Sequence, residues 1–172
     1  MSKKSAGVLA YRFRDGEMQV LLVHPGGPYW RKKDLGSWSI PKGEIHPEEE
    51  PFEAALREFR EETACEITGS MTPLTPLKQP SGKVIHLWAV EGECDENAVK
   101  SMVFEMEWPP RSGKMRTFPE IEAAEWFTMA QARVKILKGQ MGFLDELEKI
   151  VASGSRSKKG TTGLPNDSDV SS

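Results

Sequence analysis

Three glutamates carry the chemistry open to this sequence. Glu58, Glu61 and Glu62 are spaced i, i+3, i+4, which on an α-helix puts them on one face. The surrounding residues predict that helix. Pro51 suits a first turn, where no amide partner is lost. Glu48, Glu49 and Glu50 sit at or before the start, where the helix dipole favours negative charge. Phe52, Ala55, Leu56, Phe59 and Thr63 fall within about 100° of one another, so they form the face turned to the core. The three acids lie roughly opposite that face. Carboxylates so close repel one another unless something compensates. A hard divalent cation with oxygen ligands does so, and Mg²⁺ suits substrates that bring phosphate oxygens. A Glu-rich helix face is ordinarily solvated surface, and Arg57 alone would be an ordinary ion-pair residue. The longer spacing separates this helix from that reading.

The pattern runs from Gly43 to Cys65: Gly43, then Glu49, then Arg57-Glu58, then Glu61-Glu62. The segment resembles the Nudix box, the signature of the Nudix hydrolase family. That pattern is G, five residues, E, seven residues, R-E-apolar-x-E-E-x-G-apolar. Gly43, Glu49, Arg57, Glu58, Phe59, Glu61 and Glu62 match it, and Ala64 stands where the second glycine belongs. In the family that glycine ends the helix in a left-handed conformation, which costs alanine about 1 kcal/mol. Ser39-Ile40-Pro41-Lys42 is similar to the lead-in of many members, and the resemblance extends over about residues 6–150.

The resemblance implies an α/β/α sandwich with a mixed β-sheet. It implies Mg²⁺, with Mn²⁺ as a substitute, held by Glu58, Glu61, Glu62 and the Gly43 carbonyl. Arg57 would orient a carboxylate, and Glu49 would be a further metal or water contact. The implied reaction is hydrolysis of a phosphoanhydride bond by metal-activated water. The substrate would be a nucleoside triphosphate or a dinucleoside polyphosphate. Alternatives are a diphosphoinositol-polyphosphate hydrolase, an RNA-end hydrolase, or a non-catalytic nucleotide-sensing module. Degraded box carboxylates would mark the module, and here they are intact.

Other residues are candidates for substrate contact. Lys42 precedes the box and is placed to reach a phosphate. Tyr29 and Trp30 lie in a Gly/Pro/Lys-rich stretch, 25–36, where they either stack a base beside positive charge or pack the loop down. Arg111, Lys114 and Arg116 fall on a Pro/Gly-broken stretch, 109–120, read as a specificity loop. Glu120, six residues before Trp126, is a candidate extra acid. Trp38 and Trp88 read as core.

The elements that must position these groups are legible too. Strands are predicted at 6–13 and 18–24 around an Asp15-Gly16 turn, then at 38–40, 83–90, 102–107 and 123–127. Thr128-x-x-Gln131 is a capping box that starts a helix, and Met141, Leu144, Leu147, Ile150 and Val151 give the stripe of a terminal one. The length predicts one domain, 1–152, followed by a disordered Ser/Gly/Lys-rich tail, 153–172. A net charge of -3 disfavours a nucleic-acid wrap. No apolar run reaches membrane-span length, so the expected partner is a small nucleotide and no membrane. Cys65 and Cys94 have no metal-ligand spacing and read as two free buried thiols, with the cytoplasm as the default compartment. Oligomeric state leaves no trace in the sequence.

Overall fold

The computed structural model describes residues 3–98 and 103–162, apart from the side chains of Ala98 and 154–162. The chain opens with β1 (Lys4–Arg14) and β2 (Glu17–Pro25), an antiparallel hairpin closed by Asp15 and Gly16, both at positive φ. Then come β3 (Lys42–Glu44), α1 (Pro51–Thr63), β4 (Thr72–Pro73), β5 (Leu77–Lys78) and β6 (Val84–Glu91). Next are β7 (Val103–Glu107), β8 (Met115–Pro119), β9 (Ile121–Thr128), α2 (Met129–Lys135) and α3 (Met141–Thr162).

The main sheet has the order β4-β6-β1-β2-β9, with β3 against β1 and β5 against β6. It is mixed, because β1 and β6 run parallel while the other pairs are antiparallel. The parallel pair needs a long crossover, and α1 lies within it.

Period-two alternation along β1 assigns its residues to two cores. Ala6, Val8 and Ala10 face α1 and pack with Leu21, Val23, Ala54, Ala55 and Phe59. Leu9 faces the other way and joins Val20, Leu22, Ile85 and Leu87 under Phe143, Leu144 and Leu147 of α3. The result is α1 on one face of the sheet and α2 with α3 on the other. Each fully buried Leu or Phe contributes roughly 1.5–3 kcal/mol to that layering. The small side chains under α1 let the helix approach the sheet closely.

The structure corrects several expectations. Residues 38–40 form only isolated bridges, Ser39 with Val23 and Trp38 with Ile136, because Pro41 ends the ladder after one pair. Phe52 is 38% exposed and meets Trp88 edge-on, so the buried face of α1 is Ala54, Ala55, Phe59 and Thr63. The expected loop 109–120 is largely a hairpin, since β8 pairs with β7 from Glu107–Met115 to Val103–Pro119. Val103 begins the strand expected at 102–107, and Met102 lies outside the described residues. Helix α3 continues to Thr162, so 153–162 is helical rather than structureless; extending a formed helix costs far less than starting one. Residues 163–172 of the expected tail lie outside the description.

The two cysteines are not free. Cys65, just past α1, and Cys94, just past β6, form a disulfide with Cα atoms 5.7 Å apart. The expectation of a reducing compartment rested on free thiols and loses that support. Among the described residues no helix is long and apolar enough to cross a membrane.

Candidate active site

The site forms where β3 crosses the glutamate face of α1. Two glycines make that crossing possible. A Cβ on Gly7 would stand 2.1 Å from the Pro41 carbonyl oxygen, so only glycine lets the Pro41–Lys42 segment lie across β1. A Cβ on Gly43 would stand 2.0 Å from the Glu58 carboxyl carbon. The box glycine therefore makes room for a carboxylate. Buried Gln140 holds the incoming strand: its side-chain oxygen accepts the Ile40 N–H at 2.9 Å, and its amide donates to the Ser39 hydroxyl at 3.0 Å. Nothing in the sequence marks Gln140 for this role, because its partners lie about a hundred residues away.

Arg57 organises the acids. Its Nε and Nη2 donate to both oxygens of Glu49, at 2.8 and 3.0 Å. Its Nη1 donates to Glu58 at 2.9 Å and Glu61 at 3.2 Å, and Nη2 also reaches the Glu44 carbonyl. The fork–fork contact is the geometry in which Arg outperforms Lys. Glu49 also accepts the His46 N–H at 3.0 Å. Arg57 and that amide hold its carboxyl down at about 2. With both oxygens taken, Glu49 acts here as the anchor of Arg57 rather than as an open ligand.

The deepest acid is Glu62. Burial pushes its carboxyl up to about 8 against the pull of Lys42, and the negative charges of Glu58 and Glu120 add to the rise. Its carboxylate accepts the Lys42 backbone N–H. Glu58 is also raised, by burial first, with Arg57 opposing. Glu58 and Glu62 are thus not on the solvated side that helix geometry suggested, because β3 covers them, while the Glu61 side chain stays 42% exposed. Lys42 is buried enough to lie below the ordinary lysine value; Glu62 and Glu58 oppose that shift, and Lys83 adds to it. Lys83, at the turn into β6, brings a cation that sequence reasoning did not single out.

A cavity of about 230 Å³ opens beside this centre, lined in part by Trp30, Ser39, Lys42, Glu62 and Ile121. Of the aromatic pair read from sequence, Trp30 lines this cavity with Glu62, and Lys33 Nζ lies 5.2 Å from its ring centroid. Tyr29 turns away and meets Trp108 of the hairpin instead. Their loop is pinned at its base. His24 Nε2 donates to the Lys33 carbonyl at 2.7 Å, and Asp34 accepts from Trp38 Nε1 at 2.8 Å and pairs with Lys135. Glu120 joins the site through its charge on Glu62, whereas Arg111, Lys114 and Arg116 stand apart on the hairpin.

The candidate ligands at the centre are carboxylate and carbonyl oxygens, as a hard divalent cation requires. Arg57 now draws Glu58 and Glu61 toward itself, so among the described residues no three ligands converge as a finished cage. The second oxygens of Glu58 and Glu61, and the whole of Glu62, are not taken by Arg57. Two buried carboxyls pushed above their ordinary values form a donor set short of positive charge, and a divalent cation fits that deficit.

A mixed sheet between helices, with a loop–helix carrying an arginine-clamped carboxylate cluster, defines a Nudix-type domain. The NUDIX domain model matches residues 3–147, and the chain belongs to that family. A 62-residue stretch is 39% identical to the uncharacterized protein L534 of Acanthamoeba polyphaga mimivirus, covering 36% of this chain and 20% of that protein. The match thus spans about a fifth of that relative's length. An Ap4A hydrolase of C. elegans, solved as a binary complex, superposes with a TM-score of 0.60 at 20% identity, over 88% of this chain and 98% of that one. The NUDIX domain of Shewanella oneidensis NrtR, cocrystallised with ADP ribose, gives 0.63 at 14% identity, over 88% and 89%. At these identities the likeness shows the fold.

Proposed function

We propose that this chain is a Mg²⁺-dependent pyrophosphohydrolase, with Mn²⁺ able to replace Mg²⁺. It cleaves a phosphoanhydride bond in a nucleoside-diphosphate-type substrate, either a nucleoside triphosphate or a dinucleoside polyphosphate. The observation that carries this reading is Glu62, buried beside Glu58 and Glu120 and opening with Lys42 and Trp30 onto one cavity. The cavity offers a carboxylate centre, a cation and an aromatic ring together, and a nucleotide has a complement for each.

Glu58, Glu61, Glu62 and the Gly43 carbonyl would hold the metal. When bound, Mg²⁺ lowers the pKa of water and neutralises phosphate charge. Arg57 fixes the rotamers of Glu58 and Glu61, and Glu49 fixes Arg57. The Lys42 ammonium binds a phosphate oxygen, and Trp30 carries the base. Water attacks phosphorus, the anhydride P–O bond breaks, and the electron pair leaves with the departing phosphate. The proton passes to a carboxylate of this cluster, where Glu120 is the extra acid outside the box.

The test is a panel of nucleoside triphosphates and dinucleoside polyphosphates with Mg²⁺, products identified by mass, and a parallel series in excess chelator. Turnover that stops with the chelator and returns with Mg²⁺ or Mn²⁺ is expected. Full turnover in verified metal-free buffer would refute the reading. Nucleotide binding without turnover would identify a sensing module.

A further inference from the structure

The β7–β8 hairpin is not part of the main sheet, yet it is docked against the active-site loop. Gly26 donates its N–H to the Glu120 carbonyl at 2.9 Å, and a Cβ on Gly26 would stand 2.0 Å from the Pro119 carbonyl oxygen. Gly27 lies under the Phe104 ring, where a Cβ would be 3.1 Å from it. Tyr29 meets Trp108 with ring centroids 5.3 Å apart and planes at 78°. Three successive contacts thus seat the hairpin beside the cavity mouth.

Register decides what this face carries. Phe104 opposes Phe118 and Met106 opposes Arg116, and Trp108 donates its N–H to the Lys114 carbonyl in the same register. Directly opposed residues share a face, so Arg116 and Lys114 flank the aromatic side of the hairpin. Tyr29 is 57% exposed and Trp108 is half-buried. They form a right-angled aromatic corner, open enough to stack one face of a planar ring. Arg111, Lys114 and Arg116 are exposed, and their side chains have no hydrogen-bond or ion-pair partner among the described residues.

The hairpin also sets an offset along the chain from the chemistry. Glu120, whose charge acts on Glu62, directly follows β8. Arg116 lies roughly 13 Å and Lys114 roughly 20 Å back along the strand at about 3.3 Å per residue. A base held at Trp30 occupies the cavity beside Glu62. The corner at Tyr29 and Trp108 is a separate aromatic site, with unpaired cations along the approach to it. One mononucleotide fills the first site and leaves the second empty.

We infer that Tyr29, Trp108, Lys114 and Arg116 form a second base-binding subsite, so that the substrate class is a dinucleoside polyphosphate. The inference rests on the hydrolase reading above. Trp30 takes one base, the carboxylate centre takes the phosphates to be cleaved, and the hairpin takes the distal phosphates and the second base.

The experiment compares diadenosine tetraphosphate with adenosine 5′-tetraphosphate, which has the same phosphate count but one base. The full chain is assayed with Mg²⁺ alongside Tyr29→Ala and Arg116→Gln. The parent should favour the two-base substrate in kcat/KM. Tyr29→Ala should lower the ratio of the two kcat/KM values by about tenfold, through KM of the two-base substrate, as loss of one stacked base predicts. A parent that favours the one-base substrate, or variants that leave the ratio unchanged, would overturn the subsite while hydrolysis stands. Hydrolysis of neither substrate, and of no nucleoside triphosphate in the panel above, would overturn the hydrolase reading instead. In that case calorimetric binding of a methylene-bridged diadenosine analogue to parent and Tyr29→Ala still tests the corner. Equal affinity would refute it, and about tenfold weaker binding to the variant would support it.

Discussion

Glu62→Gln separates a functional carboxylate from a packing one by its sign. In the metal-free protein the Glu62 carboxyl is held up at about 8, from an ordinary value of 4.5. Between those values the folded state keeps a proton that the unfolded state has released. The folded state then binds more protons, so raising the pH favours unfolding. Stability is therefore lost from about pH 4.5 to about pH 8. The ceiling on that loss is roughly 4 kcal/mol at pH 7.5. Removing the charge also takes a favourable partner from buried Lys42, which offsets part of the gain. Gln keeps the shape and an oxygen that can accept the Lys42 N–H. The expected net gain is about 1–3 kcal/mol at pH 7.5, or roughly 3–10 °C in Tm for a chain of this size. At pH 5.5 only about 1.4 kcal/mol of that loss has accrued, so the difference in Tm should shrink to roughly a third and close toward pH 4.5. Glu50→Gln is the control, because Glu50 precedes α1 and its side chain makes no cap hydrogen bond. The assay is thermal melting in excess chelator from pH 5 to 8.5, with kcat measured in Mg²⁺. Turnover of Glu62→Gln should fall about 10²-fold or more, as loss of a metal ligand predicts. A parent whose Tm does not decline across this range, or a variant less stable at every pH, would refute the electrostatic argument. Turnover equal to that of Glu50→Gln would end the catalytic assignment.

Two further outcomes are expected. Ala64 caps α1 at φ 59°, in the left-handed region, with its N–H on the Arg60 carbonyl. Ala64→Gly should therefore raise stability by up to about 1 kcal/mol in denaturant unfolding and leave kcat unchanged; a destabilised variant would show that this conformation carries no strain. Reducing the Cys65–Cys94 bridge, whose cysteines are 29 residues apart, should lower stability by roughly 3–4 kcal/mol through loop entropy. Two titratable thiols should appear as the bridge opens, and an unchanged melting curve after their appearance would refute the estimate.

Much of the site is local, and for that reason it is legible. The i, i+3, i+4 spacing of Glu58, Glu61 and Glu62 and the Pro51 start follow from helix geometry within one segment, and the carboxylate-orienting role of Arg57 comes with the resemblance to the box. The Thr128–Gln131 capping box, present as read, and the alternation that divides β1 between two cores are local too. Other features depend on parts of the chain that meet only after folding. The burial of Glu62 needs β3 laid over α1, which in turn needs Gly7 and Gln140. The disulfide needs β6 to return parallel to β1 beside the end of α1. The strand at 102–107 is legible in the sequence, but 109–120 reads as loop because Pro109, Pro110 and Gly113 interrupt it, yet the five pairs between β7 and β8 form around that break. Helical spacing alone determined which carboxylates share a face. Whether that face meets water or a covering strand depended on contacts between distant residues, and only the tertiary structure decided it, because desolvation is set by what packs on top and not by the order of residues along the helix.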